Sequence, residues 1–243
     1  DGHEYEWSEP ENLGTAINGP NISDQPDLSP DGLTLWLSEG GDLRFSSRES
    51  PDAPWGPKTN PGSPINSASW DSDPTLTADG LTLVFCSSRA SETEDQNLWM
   101  ATRARINEPF GKPATLGKAI HTAYLENCPA ISADGLTLIF SSNRPGSVKG
   151  SPDLWQATRS STSEEFGNVT NLGPVINSPS RENGACLSSD RLVLLFESIR
   201  KDGAGKNDLY CCTRLSTDVP FGAPALLSRK INTEHEEKSP CLS

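Results

Sequence analysis

A ten-residue string opening on isoleucine occurs five times: INGPNISDQP at Ile17, INSASWDSDP at Ile65, IHTAYLENCP at Ile120, INSPSRENGA at Ile176 and INTEHEEKSP at Ile231. The isoleucines stand 48, 55, 56 and 55 residues apart. That period constrains the fold more than any composition does. Each copy must be one supersecondary unit, unable to hide its apolar faces alone and burying them against the next copy.

Every full unit has four parts. A short alternating run (PDLSPDG, PTLTADG, PAISADG, ACLSSDR) closes on Asp-Gly, or on Asp190-Arg191 in the last copy. Asp-Gly between strand-like runs is a strong hairpin signal, because both positions tolerate positive φ. Next come LTLWLS, LTLVFCSS, LTLIFSS and LVLLFES, then a polar loop, then DLRFSSR, NLWMATR, DLWQATR and DLYCCTR. A proline-bearing stretch ends each unit, as suits an edge strand. With the strands named A to D, four antiparallel strands in about 50 residues make a propeller blade. The expected fold is therefore all-β, a single β-propeller domain over residues 1–243 with blades at approximately 23–66, 71–121, 126–177 and 182–232.

Two pieces are left over. Residues 7–18 (WSEPENLGTAIN) read as a lone D strand and residues 236–243 (EEKSPCLS) as a lone A strand. Pairing them in one closing blade removes the open edge, so five blades are preferred. The fifth would lack its B and C strands, which places about 30 further residues beyond Ser243. The alternative is a four-bladed closure with both ends packed peripherally.

LSPDGLTLWLS and ISADGLTLIFSSNRPGSVKGSPDLWQATR resemble the TolB-type, WD40-like β-propeller repeat. The resemblance covers nearly the whole chain. It implies a propeller and an exported location, periplasmic or extracellular, and it leans toward binding and scaffolding roles. It does not fix a function, since this repeat serves many. The fourth unit departs from the pattern at Ala185, Asp190-Arg191 and Glu197, so a different A–B turn is expected there.

The net charge of −13 repels phosphate backbones, and no basic stripe offsets it, which argues against nucleic acid. No apolar run approaches the ~20 residues that span a bilayer. The six cysteines match no zinc spacing. Small apolar core positions suit most of them, and an interstrand disulfide stays open. No cofactor motif is present.

In a propeller the D–A connections and B–C loops meet at one mouth of the axial channel, which puts the ten-residue strings there. Position seven reads Ser23, Asp71, Glu126, Glu182, Glu237, and position eight Asp24, Ser72, Asn127, Asn183, Lys238. A polar residue present in every copy suits stitching of the ring first and ligand contact second. Asp42, Asp153 and Asp208 read as turn caps, and Arg103, Arg159 and Arg214 as exposed, salt-bridged heads. Residues that break the repeat are the stronger ligand contacts: Trp70, Asp73, Tyr124, Arg181, His235 and Lys238, with Asp27 one step down the channel. The loops RASETEDQN and RPGSVKGSPD would form a variable rim.

Two classes of function follow. One is a non-catalytic module binding a glycan or protein segment at the mouth, with aromatics stacking on sugar rings and carboxylates and amides taking hydroxyls. It fits a chain whose His3, His121 and His235 stand beside no nucleophile motif. The other is a glycoside hydrolase, which needs two carboxylates at a defined separation; Asp24, Asp27, Asp73 and Glu126 supply the side chains. A calcium ion in the acidic ring is a third possibility, without EF-hand spacing to support it.

Overall fold

The computed structural model describes residues 7–89 and 96–242. Among these, fifteen strands form four antiparallel sheets. The first holds β1 (Ser23–Leu28), β2 (Thr34–Glu39) and β3 (Asp42–Ser47), with a single Phe45–Thr59 bridge where a fourth strand would lie. The second runs β4 (Asp71–Leu76), β5 (Thr82–Ser87), β6 (Asn97–Thr102), β7 (Ala114–Thr115). The third is β8 (Glu126–Ile131), β9 (Thr137–Ser142), β10 (Asp153–Thr158), β11 (Gly167–Asn171). The fourth is β12 (Glu182–Leu187), β13 (Val193–Ser198), β14 (Asp208–Thr213), β15 (Ala225–Leu226). Chain order equals spatial order, as A-B-C-D blades require.

The sheets stand face to face around an axis, with β1, β4, β8 and β12 innermost and successive ones in contact. Each seam is an apolar cluster. Trp36, Leu83, Phe85 and Phe110 join blades one and two; Leu98, Ile120, Leu138 and Phe140 join two and three; Ile139, Leu194, Phe196 and Tyr210 join three and four. Each buried side chain of this size contributes roughly 1.5–3 kcal/mol. Alternation explains why both faces of the middle strands are apolar: a sheet between two sheets has no solvent side.

The A–B turns repeat atom for atom. Ser29, Thr77, Ser132 and Ser188 each donate a side-chain hydroxyl at 2.6 Å to the Asp two residues on, and that Asp accepts the backbone N–H of Leu33, Leu81, Leu136 or Leu192. Gly32, Gly80 and Gly135 take φ near +70°. The expected departure in blade four does not occur: Arg191 adopts φ +62° and keeps the turn, because the hydrogen bonds outweigh the left-handed penalty of roughly 1–2 kcal/mol. Arg103, Arg159 and Arg214 differ from expectation too. Their Nε atoms donate to the turn carbonyls of Gly80, Gly135 and Arg191, and their guanidinium groups stack on Phe110, Phe166 and Phe221 at 4.3–4.4 Å. They meet no carboxylate among the described residues. Arg48 does the same with Gly32 and Trp55.

The preferred fifth blade is not formed among the described residues. Residues 7–22 contain no strand and 236–242 no sheet pairing, since no B strand offers them a ladder. Ile17 instead packs on Leu35 and Leu37 of blade one. The C-terminal segment nevertheless sits at the axis between blades four and one. The Glu237 N–H donates to the Asn207 carbonyl, Ser239 N–H to Glu197, Leu242 N–H to Cys186 Sγ at 3.0 Å, and Leu28 N–H back to Cys241 Sγ at 3.1 Å. Four sheets thus surround an axis lined by five segments.

Candidate functional site: the axial channel

Position seven of the string builds a lock. Asp71 accepts from Ser67 N–H and Oγ at 2.6 and 2.8 Å, and Glu126 and Glu182 do the same with Thr122 and Ser178. Each carboxylate is then paired with an arginine from the end of strand B: Arg89 at 2.7 Å, Arg144 at 3.0 Å, Arg200 at 2.9 Å. Those arginines also donate to the carbonyls of Ile65, Ile120 and Ile176, the first residue of each string. They stack over Phe85, Phe140 and Phe196. Asp71, Glu126 and Glu182 are wholly buried and turned into their own blades. They hold the mouth's shape and offer no oxygen to its opening. Glu237 caps Thr233 in the same way, half-buried and without an arginine.

Blade one reaches the same result with exchanged parts. Position seven is Ser23, and the carboxylate comes from Glu39 on strand B. The cation is Lys58, whose Nζ donates to Ile17 O at 2.9 Å, Ser23 Oγ at 2.8 Å and Glu39 Oε1. Asp153 and Asp208 act as the expected caps, for Val148 N–H and for Ala204 and Gly205 N–H.

Position nine is where the five segments differ and where they converge. Gln25, Asp73, Cys128, Gly184 and Ser239 all take φ between 46° and 54°, and each of the four strand pairs involved slips register there. The bulge turns position nine toward the axis, where these five residues and position ten (Pro26, Pro74, Pro129, Ala185, Pro240) enclose a constriction of about 30 Å³, room for about one water. Asp73 lies in it, 6% exposed. It accepts from Ser72 Oγ at 2.8 Å and Cys128 Sγ at 3.2 Å, while its N–H donates to Ser38 Oγ. Burial raises its pKa. Glu197, 4% exposed, leans over Gly184, whose missing Cβ leaves it space. Its pKa is also raised, by burial first, with Arg181 and Lys238 opposing and Asp73 adding. Asp24 at position eight is raised by partial burial and by Asp73.

Asp24, Asp73 and Glu197 thus gather at the constriction, Asp73 repelling each of the other two, beside Arg181 and Lys238. The Oδ1 atoms of Asn127 and Asn183 and Nε of Arg181 are buried and have no hydrogen-bond partner among the described residues. Trp70 is 56% exposed with its ring laid on Gly41, and Tyr124 is 43% exposed. His235 projects into solvent beside Glu234. The RASETEDQN loop falls outside the described residues at 90–95. Glu197 was legible only as a break in the fourth unit, and Gln25, Cys128 and Ser239 carried no chemical signal, because a positive φ at non-glycine residues leaves none.

Below the constriction the channel changes character. Position twelve reads Leu28, Leu76, Ile131, Leu187, Leu242, and with position ten it lines a cavity of about 820 Å³ extending into the seam between blades one and two. Asp27, expected one step down, lies in this wall and not at the mouth. Among the described residues no group of His, Cys, Asp and Glu has metal-binding geometry, and all six cysteines are free thiols.

No family model and no curated protein matches the sequence. Solved structures do match its fold. TolB of Acinetobacter baumannii aligns over 86% of this chain and 44% of its own, with TM-score 0.53 and 15% identity. The putative TolB of Agrobacterium tumefaciens aligns over 80% and 59%, at 0.52 and 18%. The α-L-arabinofuranosidase PaAbf62A of Podospora anserina, in complex with cellotriose, aligns over 95% and 76%, at 0.61 and 15%. The chain spans about half the length of the TolB proteins. At these identities the likeness establishes the β-propeller fold alone.

Proposed function

We propose that the chain is a non-catalytic binding propeller whose polar mouth takes a glycan. The observation that carries this is Trp70, an exposed indole held flat on Gly41 just before Asp71, the first residue of the innermost strand β4. An indole face stacks on a sugar ring, while Asp24 accepts from its hydroxyls and the outer guanidinium nitrogens of Arg181 donate in return. Tyr124 and His235 extend the rim. The buried carboxylates Asp71, Glu126 and Glu182 fix the loops that present these groups. An exported location belongs to the same reading, through the repeat's resemblance to the TolB type.

Binding on a glycan array, lost in Trp70→Ala and without release of reducing sugar, supports the proposal. Capture of extended peptides in place of sugars would overturn the glycan assignment. A second reading, glycoside hydrolysis, is favoured by Asp24, Asp73 and Glu197, whose burial raises their pKa values, the direction a general acid requires, with Asp73 adding to the rise in the other two. Reducing sugar released by the parent and abolished by Glu197→Gln would establish it.

A further inference from the structure

The cavity below the constriction belongs to neither reading. Its ring of Leu28, Leu76, Ile131, Leu187 and Leu242 is supplied once by each of the five segments, and all but Ile131 are only part-buried. Apolar side chains left incompletely covered inside a concavity are what small-molecule sites are made of, and about 820 Å³ lies within their usual range. Nothing in the fold requires this surface to stay uncovered.

One wall carries a charge. Position eleven is Thr75, Ala130, Cys186 and Cys241 in four segments but Asp27 in the first. Asp27 Oδ2 accepts from the Leu76 N–H at 3.0 Å, and the Thr75 hydroxyl also reaches the carboxyl. Among the described residues no cation acts on it. Across the sheet Asp27 registers with Trp36, and Trp36 with Phe45, so the carboxyl shares its face with two aromatic rings that also line the cavity. The arginine on the wall, Arg103, is committed to Gly80 O and stacked on Phe110. Asp31 and Glu108, the other charged groups of the lining, are acidic.

We propose that this lower half of the channel is a binding site for a hydrophobic ammonium, a small molecule with a hydrocarbon body for the leucine ring and a protonated amine for Asp27. The apolar body covers the ring, and the amine supplies a cation to the half-buried carboxylate, beside aromatic faces that also attract it. An anionic ligand of the same shape would meet an acidic wall. Burial raises the Asp27 pKa to about 7. The carboxyl is thus largely ionised only above that, and amine recognition strengthens as pH rises through this value.

The test is calorimetric titration with phenylbutylamine, phenylbutanol and phenylbutanoate at about pH 8. The amine is expected to bind roughly tenfold tighter than the alcohol, with the carboxylate weakest. Asp27→Asn, which keeps an acceptor for Leu76, brings the amine down to the alcohol's level. Should that variant fail to fold, the same series on the unaltered protein at about pH 5 serves instead, where the amine's advantage shrinks. Trp70→Ala leaves all three affinities unchanged, which separates this site from the mouth. An amine no tighter than the alcohol, an advantage that survives Asp27→Asn, binding abolished by Trp70→Ala, or no saturable binding would each overturn the proposal.

Discussion

The two halves of the channel are built from the same five segments, yet they obey opposite rules. Above position nine, every copy repeats its polar residues, and the repeated ones are consumed by the architecture. Below it, every copy repeats its apolar residues, and the repeated ones face the open channel. Repetition alone therefore does not distinguish scaffold from surface. What decides is whether the side chain has a partner inside its own blade: Glu126 has Arg144, Ser142 and Thr122, whereas Leu28 and Leu242 line the cavity.

Breaking the upper rule should be the most damaging change. Arg144→Ala leaves Glu126 buried without its cation, and a loss of about 3–5 kcal/mol is expected in urea unfolding. Removing the cation of the exchanged lock, Lys58→Ala, should cost less, about 1–3 kcal/mol, because Glu39 retains the nearby Arg44 at 3.8 Å. A comparable loss from both would mean the two locks are equivalent.

The lower half should respond to pH through Asp27. Its native pKa is about 7 against an ordinary 3.8. Between these values the native state holds a proton that the unfolded chain releases, so this group's contribution to stability is most favourable at low pH and falls as pH rises to 7. Asp27→Asn removes this dependence. It should stabilise the protein by up to about 3 kcal/mol at neutral to alkaline pH, with the gain vanishing near pH 4. A variant equally stable relative to the parent at both ends would show that the carboxyl is not held protonated.

The smallest effect is expected outside the channel. Arg191→Gly relieves a left-handed residue but gives up a half-exposed contact to Asp134 at 3.3 Å. A net gain of about 0.5–1 kcal/mol is expected by thermal unfolding. A loss would mean the Asp134 contact between blades matters more than the turn.

Much of this was readable from the chain. The spacing of Asp31-Gly32, Asp79-Gly80 and Asp134-Gly135 located three turns, and the alternation in LTLVFCSS and LTLIFSS located the middle strands. Position seven announced itself by recurring. Other features left no trace. Lys58 and Glu39 replace an arginine and a position-seven carboxylate that come from elsewhere in the blade, a swap that no single column reveals. The bulge at position nine places Asp73 and Cys128 together because of backbone geometry that neither residue favours. The fifth blade is not formed among the described residues, where segments 7–18 and 236–242 have the pattern of strands and meet no B and C strands of their own.

The claim on which both halves rest is that the C-terminal segment closes the ring, with Leu28 N–H bonded to Cys241 and Leu242 N–H to Cys186. Hydrogen exchange read residue by residue tests it, comparing the full chain with one ending at Lys238. The account predicts a protected Leu28 amide in the full chain and exchange at least tenfold faster in the shortened one, while amides of β9 and β13 change little. Equal exchange at Leu28 in both would contradict it, for the fifth segment would then take no part in enclosing the channel.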